Sequence, residues 1–140
     1  MSGSTQECSH TGEVVIADTG PVLSGLPLRV SCYVTPQVIE EVKDAESKDL
    51  VERALASGKL LVVEPPPAFI SMAKEAARRV GVERELSPAD ISVIALALKL
   101  SERCRVKVAT DDKRLQLALV RAGFEVMGIR YRKIREARRR

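Results

Sequence analysis

Residues 14–18 read VVIAD and residues 106–112 read VKVATDD, so that two short apolar runs each lead into aspartate. Residues 60–63 (LLVV) form a third apolar run, and residues 31–34 and 125–127 are two further strand candidates. Runs that are apolar at nearly every position are typical of parallel strands that helices cover on both faces. These runs therefore predict the strands of a mostly parallel sheet.

Helical patterns lie between the predicted strands. A proline follows both Thr35 and Ser87, which places a capping hydroxyl before a proline at the first helical position, and Gly81 and Gly123 stand where helices are expected to end. The alternation of strand and helix predicts an α/β fold, a three-layer α/β/α domain around a central, mostly parallel twisted sheet. The predicted helices cover residues 36–45, 48–57, 67–80, 87–103 and 111–122.

The chain has 140 residues, of which 45% are hydrophobic and 30% charged, as expected of one globular domain. We expect a mobile N-terminal tail at residues 1–12, a folded domain at residues 13–128 and a basic tail at residues 129–140. The basic tail holds seven of the 23 basic residues and one of the 19 acidic residues, so it carries +6 and the rest of the chain −2. Such tails are typical of proteins that bind nucleic acid or an acidic partner, and the alternative is a terminus that only aids solubility.

The three cysteines, Cys8, Cys32 and Cys104, bear on the compartment. Their odd number and the lack of a C-x-x-C spacing argue against a disulfide framework and against a zinc ribbon. No apolar stretch reaches the ~18 residues that a membrane span needs, and the polar start lacks the apolar core of a signal peptide. We therefore expect a protein of the reducing cytoplasm that does not contact a membrane.

Acidic residues stand directly after two of the predicted strands. In an open parallel sheet, ligands bind beyond the carboxyl ends of the strands, so Asp18 and the pair Asp111 and Asp112 are expected at one edge. Asp18 has the alternative role of capping a short helix, and the pair has that of acids favoured by a helix dipole. Two adjacent acids exceed what a cap requires. Asp112 is the favoured member, Asp111 is a second candidate, and Thr110 is placed to orient one of them.

Two more acids lie on predicted helices. Asp90 fits a capping box with Ser87, yet the helix that follows is apolar at every position of residues 91–98 except one, which predicts that it is buried. A buried carboxylate without a partner is costly, and a metal ion would supply one. On the helix that begins at residue 36, Glu41 falls at the flank of the apolar stripe, whereas Glu40 points nearly the opposite way. Glu41 is therefore the candidate, and Glu40 is expected to be solvated.

Carboxylates from four segments at one edge predict a divalent cation site. Without a cation, clustered carboxylates repel one another and are driven towards protonation. Ligation by oxygen alone suits Mg²⁺ or Mn²⁺ rather than zinc, and such ions polarise a phosphate and activate water. Other chemistries are disfavoured: the single histidine, His10, falls in the N-terminal tail, no phosphate-binding glycine loop is present, and aromatic residues are only 3%.

The order of these motifs resembles the PIN-domain endoribonucleases over residues 13–128. The resemblance implies that the α/β/α domain cleaves single-stranded RNA with Mg²⁺ or Mn²⁺, by hydrolysis with a metal-activated water and without a covalent enzyme intermediate. Where the family has a small polar residue two places after the first acid, this chain has Gly20, so a contact to metal-bound water is expected to be missing. The matching segments are VIADT (15–19), TPQVIEEV (35–42), LSPADI (86–91) and ATDD (109–112).

Carried over position by position, the resemblance also implies the roles of individual residues. Catalysis and metal ligation fall to Asp18, Glu41, Asp90 and Asp112, with Asp111 as an accessory ligand. Thr110, expected to orient the last acid, and Thr19 support the site. The basic tail is expected to contact RNA through Arg130, Arg132, Lys133, Arg135, Arg138, Arg139 and Arg140.

Within the family, the motifs most resemble the archaeal branch that matures the 3′ end of small-subunit ribosomal RNA. Members of that branch usually carry a C-terminal zinc ribbon, which these residues lack. The partner would be a ribosomal RNA precursor or the small ribosomal subunit. One alternative is a toxin-type ribonuclease, with a homodimer or a protein inhibitor as partner; another is a catalytically silent RNA-binding or scaffold module. A metal-dependent phosphatase is disfavoured because Asp18, Thr19 and Gly20 do not form an Asp-x-Asp pair.

Overall fold

Five parallel strands form the centre of the computed structural model, which describes Cys8 and residues 11–128. All five predicted strands are confirmed, at β1 (Glu13–Ala17), β2 (Cys32–Val34), β3 (Leu60–Val62), β4 (Arg105–Ala109) and β5 (Glu125–Met127). They lie in the order β3-β2-β1-β4-β5, and every neighbouring pair is parallel. The strand order therefore reverses between the two central strands, β1 and β4.

Helices occupy both faces of this sheet. Because the chain runs from β1 through β2 to β3 in one direction and from β4 to β5 in the other, right-handed crossovers place the connecting helices on opposite faces. The predicted three-layer α/β/α architecture is confirmed. Within the described residues the α-helices are α1 (Thr19–Leu23), α2 (Pro36–Glu40), α3 (Ala45–Ala56), α4 (Pro67–Arg79), α5 (Pro88–Leu100) and α6 (Lys113–Arg121), with 3₁₀ turns at Leu26–Leu28 and Glu83–Glu85.

Several helix boundaries differ from the prediction. The helix predicted over residues 36–45 ends at Glu40, because Asp44 is the N-cap of the next helix and accepts a hydrogen bond from the Ser47 N–H at 2.9 Å. An N-cap residue has non-helical dihedral angles, so one helix cannot run through it. The helix predicted over residues 87–103 ends at Leu100. The helix α1 was expected only as the short helix of the alternative role of Asp18, because its five residues are too few to show a helical period. Asp18 is the N-cap residue of α1, but its side chain makes no capping hydrogen bond.

The core lies around the central strands and α5. Ile16 of β1 and Val108 of β4 are fully buried, and nine of the 13 residues of α5 are buried, as its apolar sequence predicts. The outer strand β3 differs from the prediction that helices cover it on both faces. Leu61 and Val62 are 42% and 44% exposed, because β3 lies at the edge of the sheet and has a neighbouring strand on one side only.

The described cysteines correct a second expectation. Cys8 and Cys104 form a disulfide with a Cα–Cα distance of 5.7 Å, and Cys32 is a free, buried thiol. The prediction against disulfides was wrong because counting and spacing cannot show which segments lie side by side. Here β1 pairs with β4 from its first residue, and the carbonyl of Gly12 accepts a hydrogen bond from the Arg105 N–H at 2.8 Å. The residues before the two strands are therefore neighbours, and the cysteine count no longer supports a reducing compartment.

None of the helices formed by residues 11–128 is both long and apolar enough to cross a bilayer.

A pair of buried hydroxyls joins α2 to α5. The Oγ atoms of Thr35 and Ser92 lie 2.7 Å apart, and both residues are almost fully buried. The Ser92 hydroxyl donates its one proton to the carbonyl of Ala89 at 2.6 Å, and Thr35 Oγ1 accepts the Val38 N–H at 3.1 Å. The Thr35 hydroxyl must therefore donate to Ser92. This chain of hydrogen bonds fixes the start of α2, which leads to Glu41, against the first turns of α5.

Replacing Ser92 by alanine tests this link. We expect Ser92→Ala to lower the free energy of unfolding by roughly 1–3 kcal/mol, because the buried Thr35 hydroxyl loses its acceptor. Urea denaturation monitored by circular dichroism measures the difference. Ser101→Ala is the matched control: its hydroxyl also donates to the carbonyl three residues earlier, at 2.8 Å, but it is exposed, and the change should stay within about 0.5 kcal/mol. Equal effects of the two substitutions would contradict the structural role of the buried pair.

Candidate metal centre

The candidate acids lie beyond the carboxyl ends of the strands, at the point where the strand order reverses. Ala17 of β1 is in register with Ala109 of β4, and the Asp18 N–H continues this pairing by donating to the carbonyl of Ala109 at 3.0 Å. Asp18 and the residues that follow Ala109 are therefore neighbours across the two central strands. In open α/β sheets this is the place where ligands bind.

Thr110 connects the two strand ends. Its side chain is fully buried, and its hydroxyl donates to Asp18 Oδ2 at 2.8 Å while it accepts the Asp112 N–H at 3.0 Å. The sequence suggested that Thr110 would orient the last acid. In the structure the hydroxyl orients the Asp18 carboxylate instead, and it reaches Asp112 only through the backbone. The Gln116 side chain, which the sequence analysis did not single out, donates from Nε2 to the Thr110 carbonyl at 2.7 Å.

Asp18 is an unusually basic carboxylate because it is buried. Only 7% of the residue is exposed, and the loss of solvent raises the pKa of Asp18 from 3.8 to about 6. Hydrogen bonds from the Thr110 hydroxyl and the Thr19 backbone lower this pKa, and the negative charges of Asp90 and Asp112 raise it further. Asp18 therefore loses its proton at a higher pH than an exposed aspartate does, and it is mostly ionised at neutral pH.

Asp90 forms the expected capping box and also lies within electrostatic reach of the other acids. Its Oδ2 accepts the Ser87 N–H at 3.0 Å, and its own N–H donates to Ser87 Oγ at 3.1 Å. Burial raises the pKa of Asp90, the bond from the Ser87 backbone lowers it, and the charges of Asp112 and Glu41 raise it again. The capping role and a place among the acids are therefore compatible.

Glu41 is tied to the segment that carries Asp18. Its Oε1 accepts a hydrogen bond from the Thr19 hydroxyl at 2.6 Å, and Thr19 is the first residue of α1. Glu41 itself is the C-cap of α2 and is exposed. Thr19 thus provides a hydroxyl beside Gly20, which has no side chain to offer. Glu40 is exposed in the last turn of α2, in line with the expectation that it is solvated.

The last pair of acids lies before α6. Asp112 is half-buried and is the N-cap of this helix, with Oδ1 accepting the N–H groups of Arg114 and Leu115 at 2.9 and 3.1 Å. Asp111 is also half-buried and lies between Thr110 and Asp112. Asp112 therefore combines a capping role with electrostatic contact to Asp18 and Asp90.

The donor set suits a hard divalent cation. Asp18, Asp90, Asp112 and Glu41 offer only carboxylate oxygens, and no ion pair between described residues reaches any of the four. Among residues 8 and 11–128, no three Asp, Glu, His or Cys side chains lie close enough to hold an ion as they stand. Their carboxylates are engaged with hydroxyls and helix ends. Ligation by three of them therefore requires some of these side chains to turn towards a shared ion.

Some predicted site residues lie outside the described residues, and some residues that support the site were not predicted. The predicted RNA contacts of the basic tail, and most of the N-terminal tail, fall outside the described residues. Two contributors were missed, Gln116 and the Thr35–Ser92 pair. A signal for Ser92 was present, since it is the one polar position in the apolar run of α5. Gln116 had a weaker signal in its spacing, because it follows Asp112 by one helical turn.

Known ribonucleases resemble this chain over most of its length. The family model described as "PIN domain of ribonuclease" matches residues 15–100. Ribonuclease VapC3 of Aeropyrum pernix is 46% identical over 138 residues, which cover 94% of this chain and 98% of that protein. Endoribonuclease Nob1 of Pyrococcus abyssi is 35% identical over 121 residues, which cover 86% of this chain and 68% of that protein.

A solved structure supports the fold. The chain superposes on the crystal structure of FitAcB from Neisseria gonorrhoeae with a TM-score of 0.50, at 21% sequence identity, over 82% of this chain and 97% of that one. This likeness concerns the architecture alone. The match to the family model and the similarity to two ribonucleases carry the assignment: the chain belongs to the PIN domain family of ribonucleases.

Proposed function

We propose that this chain is an endoribonuclease that cleaves single-stranded RNA with Mg²⁺ or Mn²⁺ bound by the acids at the carboxyl edge of the sheet. The observation that supports it is the buried Asp18 carboxylate, which burial and the charges of Asp90 and Asp112 destabilise. A stable fold has no use for such an arrangement, and functional sites are where it is found. When bound, the cation would polarise the scissile phosphate and activate the attacking water.

Each proposed ligand is held by a different partner of the chain. Thr110 holds Asp18, Ser87 holds Asp90, Thr19 holds Glu41, and the first turn of α6 holds Asp112. These partners limit the number of orientations that the carboxylates adopt, which lowers the entropy lost on binding an ion. Asp111 lies beside them as an accessory ligand.

Cations of the protein would hold the RNA backbone near this edge. Lys43 follows Glu41 by two residues, and Lys113 follows Asp112 directly; both side chains are exposed. The basic tail would add further phosphate contacts. Binding through phosphates weakens as salt concentration rises, and it depends little on base sequence.

Maturation of the 3′ end of small-subunit ribosomal RNA is the first biological role we propose, on the basis of the motifs around Thr35, Ser87 and Thr110. A toxin-type ribonuclease with an inhibitor protein or a second copy as partner is the second. Similarity supports both roles, since the chain is 46% identical to Ribonuclease VapC3 of Aeropyrum pernix and 35% identical to Endoribonuclease Nob1 of Pyrococcus abyssi.

The proposed catalytic acids can be tested one at a time. We expect Asp18→Asn and Asp90→Asn to retain the fold and to lose Mn²⁺-dependent cleavage of single-stranded RNA by about 100-fold or more, since a bound metal ion contributes several kcal/mol to such reactions. Glu41→Gln should lose activity in the same direction. Glu40→Gln, on the neighbouring residue, is the matched control and should cleave like the wild type. Retained cleavage in both aspartate variants would refute the assignment.

The pKa of Asp18 predicts how the metal-free protein responds to pH. Below pH 3.8 the carboxyl is protonated in the folded and unfolded states; between 3.8 and about 6 only the unfolded state ionises, so stability falls as pH rises. Above about pH 6 the free energy of unfolding is lower by the full amount, on the order of 3 kcal/mol at most. Asp18→Asn should therefore stabilise the metal-free protein at about pH 7.5 and have little effect at about pH 4.

Urea denaturation in the presence of a chelator measures the effect of Asp18→Asn on the free energy of unfolding at each of the two pH values. Asp49→Asn is the control, because Asp49 is an exposed partner of Arg53 at 3.2 Å, and its loss should change stability by less than about 0.5 kcal/mol at either pH. A variant at position 18 that is less stable than the wild type at neutral pH would show that burial does not destabilise this carboxylate.

Mapping the cleavage sites separates the two biological roles. We expect one dominant cut near the 3′ end of the small-subunit ribosomal RNA in a precursor transcript, and much slower cleavage of unrelated single-stranded RNA. Comparable cleavage of both RNAs, abolished by a co-expressed inhibitor protein, would instead support the toxin-type role.

A further inference from the structure

The edge of the sheet that carries Asp18, Glu41, Asp90 and Asp112 is called the acidic edge below. A pocket lies beside it, between α2, α4 and the start of α5. Its volume is about 360 Å³, at the lower end of the range of roughly 300–1,000 Å³ that small-molecule pockets span. Its apolar walls come from Ile70 of α4 and from Leu86, Pro88 and Ile91 around the start of α5. We call this space the base pocket. Aliphatic walls of this kind suit a flat, largely apolar group.

One polar atom in the base pocket has no partner. Gln37 lines the pocket, and its side-chain oxygen Oε1 is buried and accepts no hydrogen bond from any described residue. Leaving such an acceptor buried and unpaired costs roughly 1–3 kcal/mol, and natural proteins rarely tolerate it without a reason. Because Gln37 lines the pocket, a turn of its side chain would bring this oxygen to a ligand that carries a hydrogen-bond donor.

The base pocket adjoins a space beside Glu41, and Gln37 lines both. This residue and Pro88 also line a second space of about 260 Å³, together with Glu41. Gln37 precedes Glu41 by four residues, and residues spaced by four lie on one face of a helical turn. Pro88 precedes Asp90 by two residues in the first turn of α5. A ligand that extends from the acids along α2 would therefore reach the base pocket.

Charge at the pocket is compatible with a strand of RNA. Lys74 lines the pocket and is exposed, so it can meet a phosphate of the backbone. Glu83 also lines it, but its carboxylate is paired with Arg78 at 3.1 Å, which compensates its negative charge. The pocket thus combines apolar walls, one amide and one available cation.

We propose that the base pocket takes one nucleobase of the RNA next to the scissile phosphate, and that Gln37 selects adenine there. Adenine has an amino group beside a ring nitrogen, and the amide of glutamine matches this edge with two hydrogen bonds, one accepted by Oε1 and one donated by Nε2. A matched pair of this kind discriminates against the wrong base by about 1–3 kcal/mol, or roughly 5- to 150-fold. This inference rests on the proposed RNA cleavage at the neighbouring acids.

Cleavage of a randomised RNA pool tests the selection. Sequencing of the products of the wild-type protein should show adenine enriched at one fixed position relative to the cut. Gln37→Leu, which keeps the size and removes both hydrogen bonds, should reduce the enrichment about 5-fold or more. Gln37→Glu keeps an acceptor but loses the donor, so it should move the preference towards cytosine, whose amino group a carboxylate accepts. Glu52→Gln, at an exposed position of α3, is the control and should preserve the wild-type preference.

Binding of adenosine gives a second readout that needs no cleavage. In the metal-free wild-type protein, adenosine at millimolar concentration should shift the NMR signals of the Gln37 side-chain amide and of the Ile70 and Leu86 methyl groups, more than uridine does. If RNA is not cleaved but adenosine shifts these signals, the proposed function fails and the base pocket stands. If RNA is cleaved with no positional preference, or with one that Gln37→Leu leaves intact, the base pocket is refuted and the function stands. Absence of both cleavage and shifts refutes both.

Discussion

The hydrogen bond from the Thr110 hydroxyl to the Asp18 carboxylate, 2.8 Å long, joins the ends of the two central strands. The positions of the other acids depend on this hydrogen bond, because the two strands lead into different segments of the chain at this point. The strand β1 continues into α1, which carries Thr19 and through it Glu41, while β4 continues into the loop that carries Asp112. The same hydroxyl accepts the Asp112 N–H, so one buried side chain sets the position of both acids.

A separate pair of hydroxyls, between two helices, positions the two remaining acids, Glu41 and Asp90. The Thr35–Ser92 hydroxyl pair holds α2 against α5, and these helices lead to Glu41 and carry Asp90. The site is thus assembled from two rigid pairs, one in the sheet and one between helices. Its four carboxylates are nevertheless engaged with hydroxyls and helix ends, because like charges repel in the absence of a cation. The burial of the Asp18 carboxylate near other negative charges both lowers the stability of the metal-free protein and favours the binding of a cation.

The sequence made the sheet and part of the site predictable. Asp18 and Asp112 stand at the ends of apolar runs, and the strand-end rule places them together once the strands are known to be parallel. The capping box of Asp90 could also be read directly, since it spans only four residues. Glu41 was separated from Glu40 by its helix angle, although the helix proved shorter than its pattern suggested.

Features that depend on which distant segments become neighbours were not predictable. The partner of Thr110 is Asp18, 92 residues away, and the disulfide of Cys8 joins Cys104 across 96 residues. Both follow from the pairing of β1 with β4, and local patterns carry no information on strand register. The unpaired oxygen of Gln37 is hidden for the same reason: in the sequence this residue is an ordinary polar position in an amphipathic helix, and only packing against α4 and α5 buries it.

The central claim is that carboxylates from four segments share one divalent cation. An anomalous difference map from crystals of the protein grown with Mn²⁺ tests it most directly, because the anomalous scattering of manganese distinguishes it from the lighter atoms of the protein and from water. We expect a peak bounded by the carboxylates of Asp18, Glu41, Asp90 and Asp112, with the Thr110 hydroxyl still bonded to Asp18. No peak among these carboxylates at a saturating concentration of Mn²⁺ would contradict it.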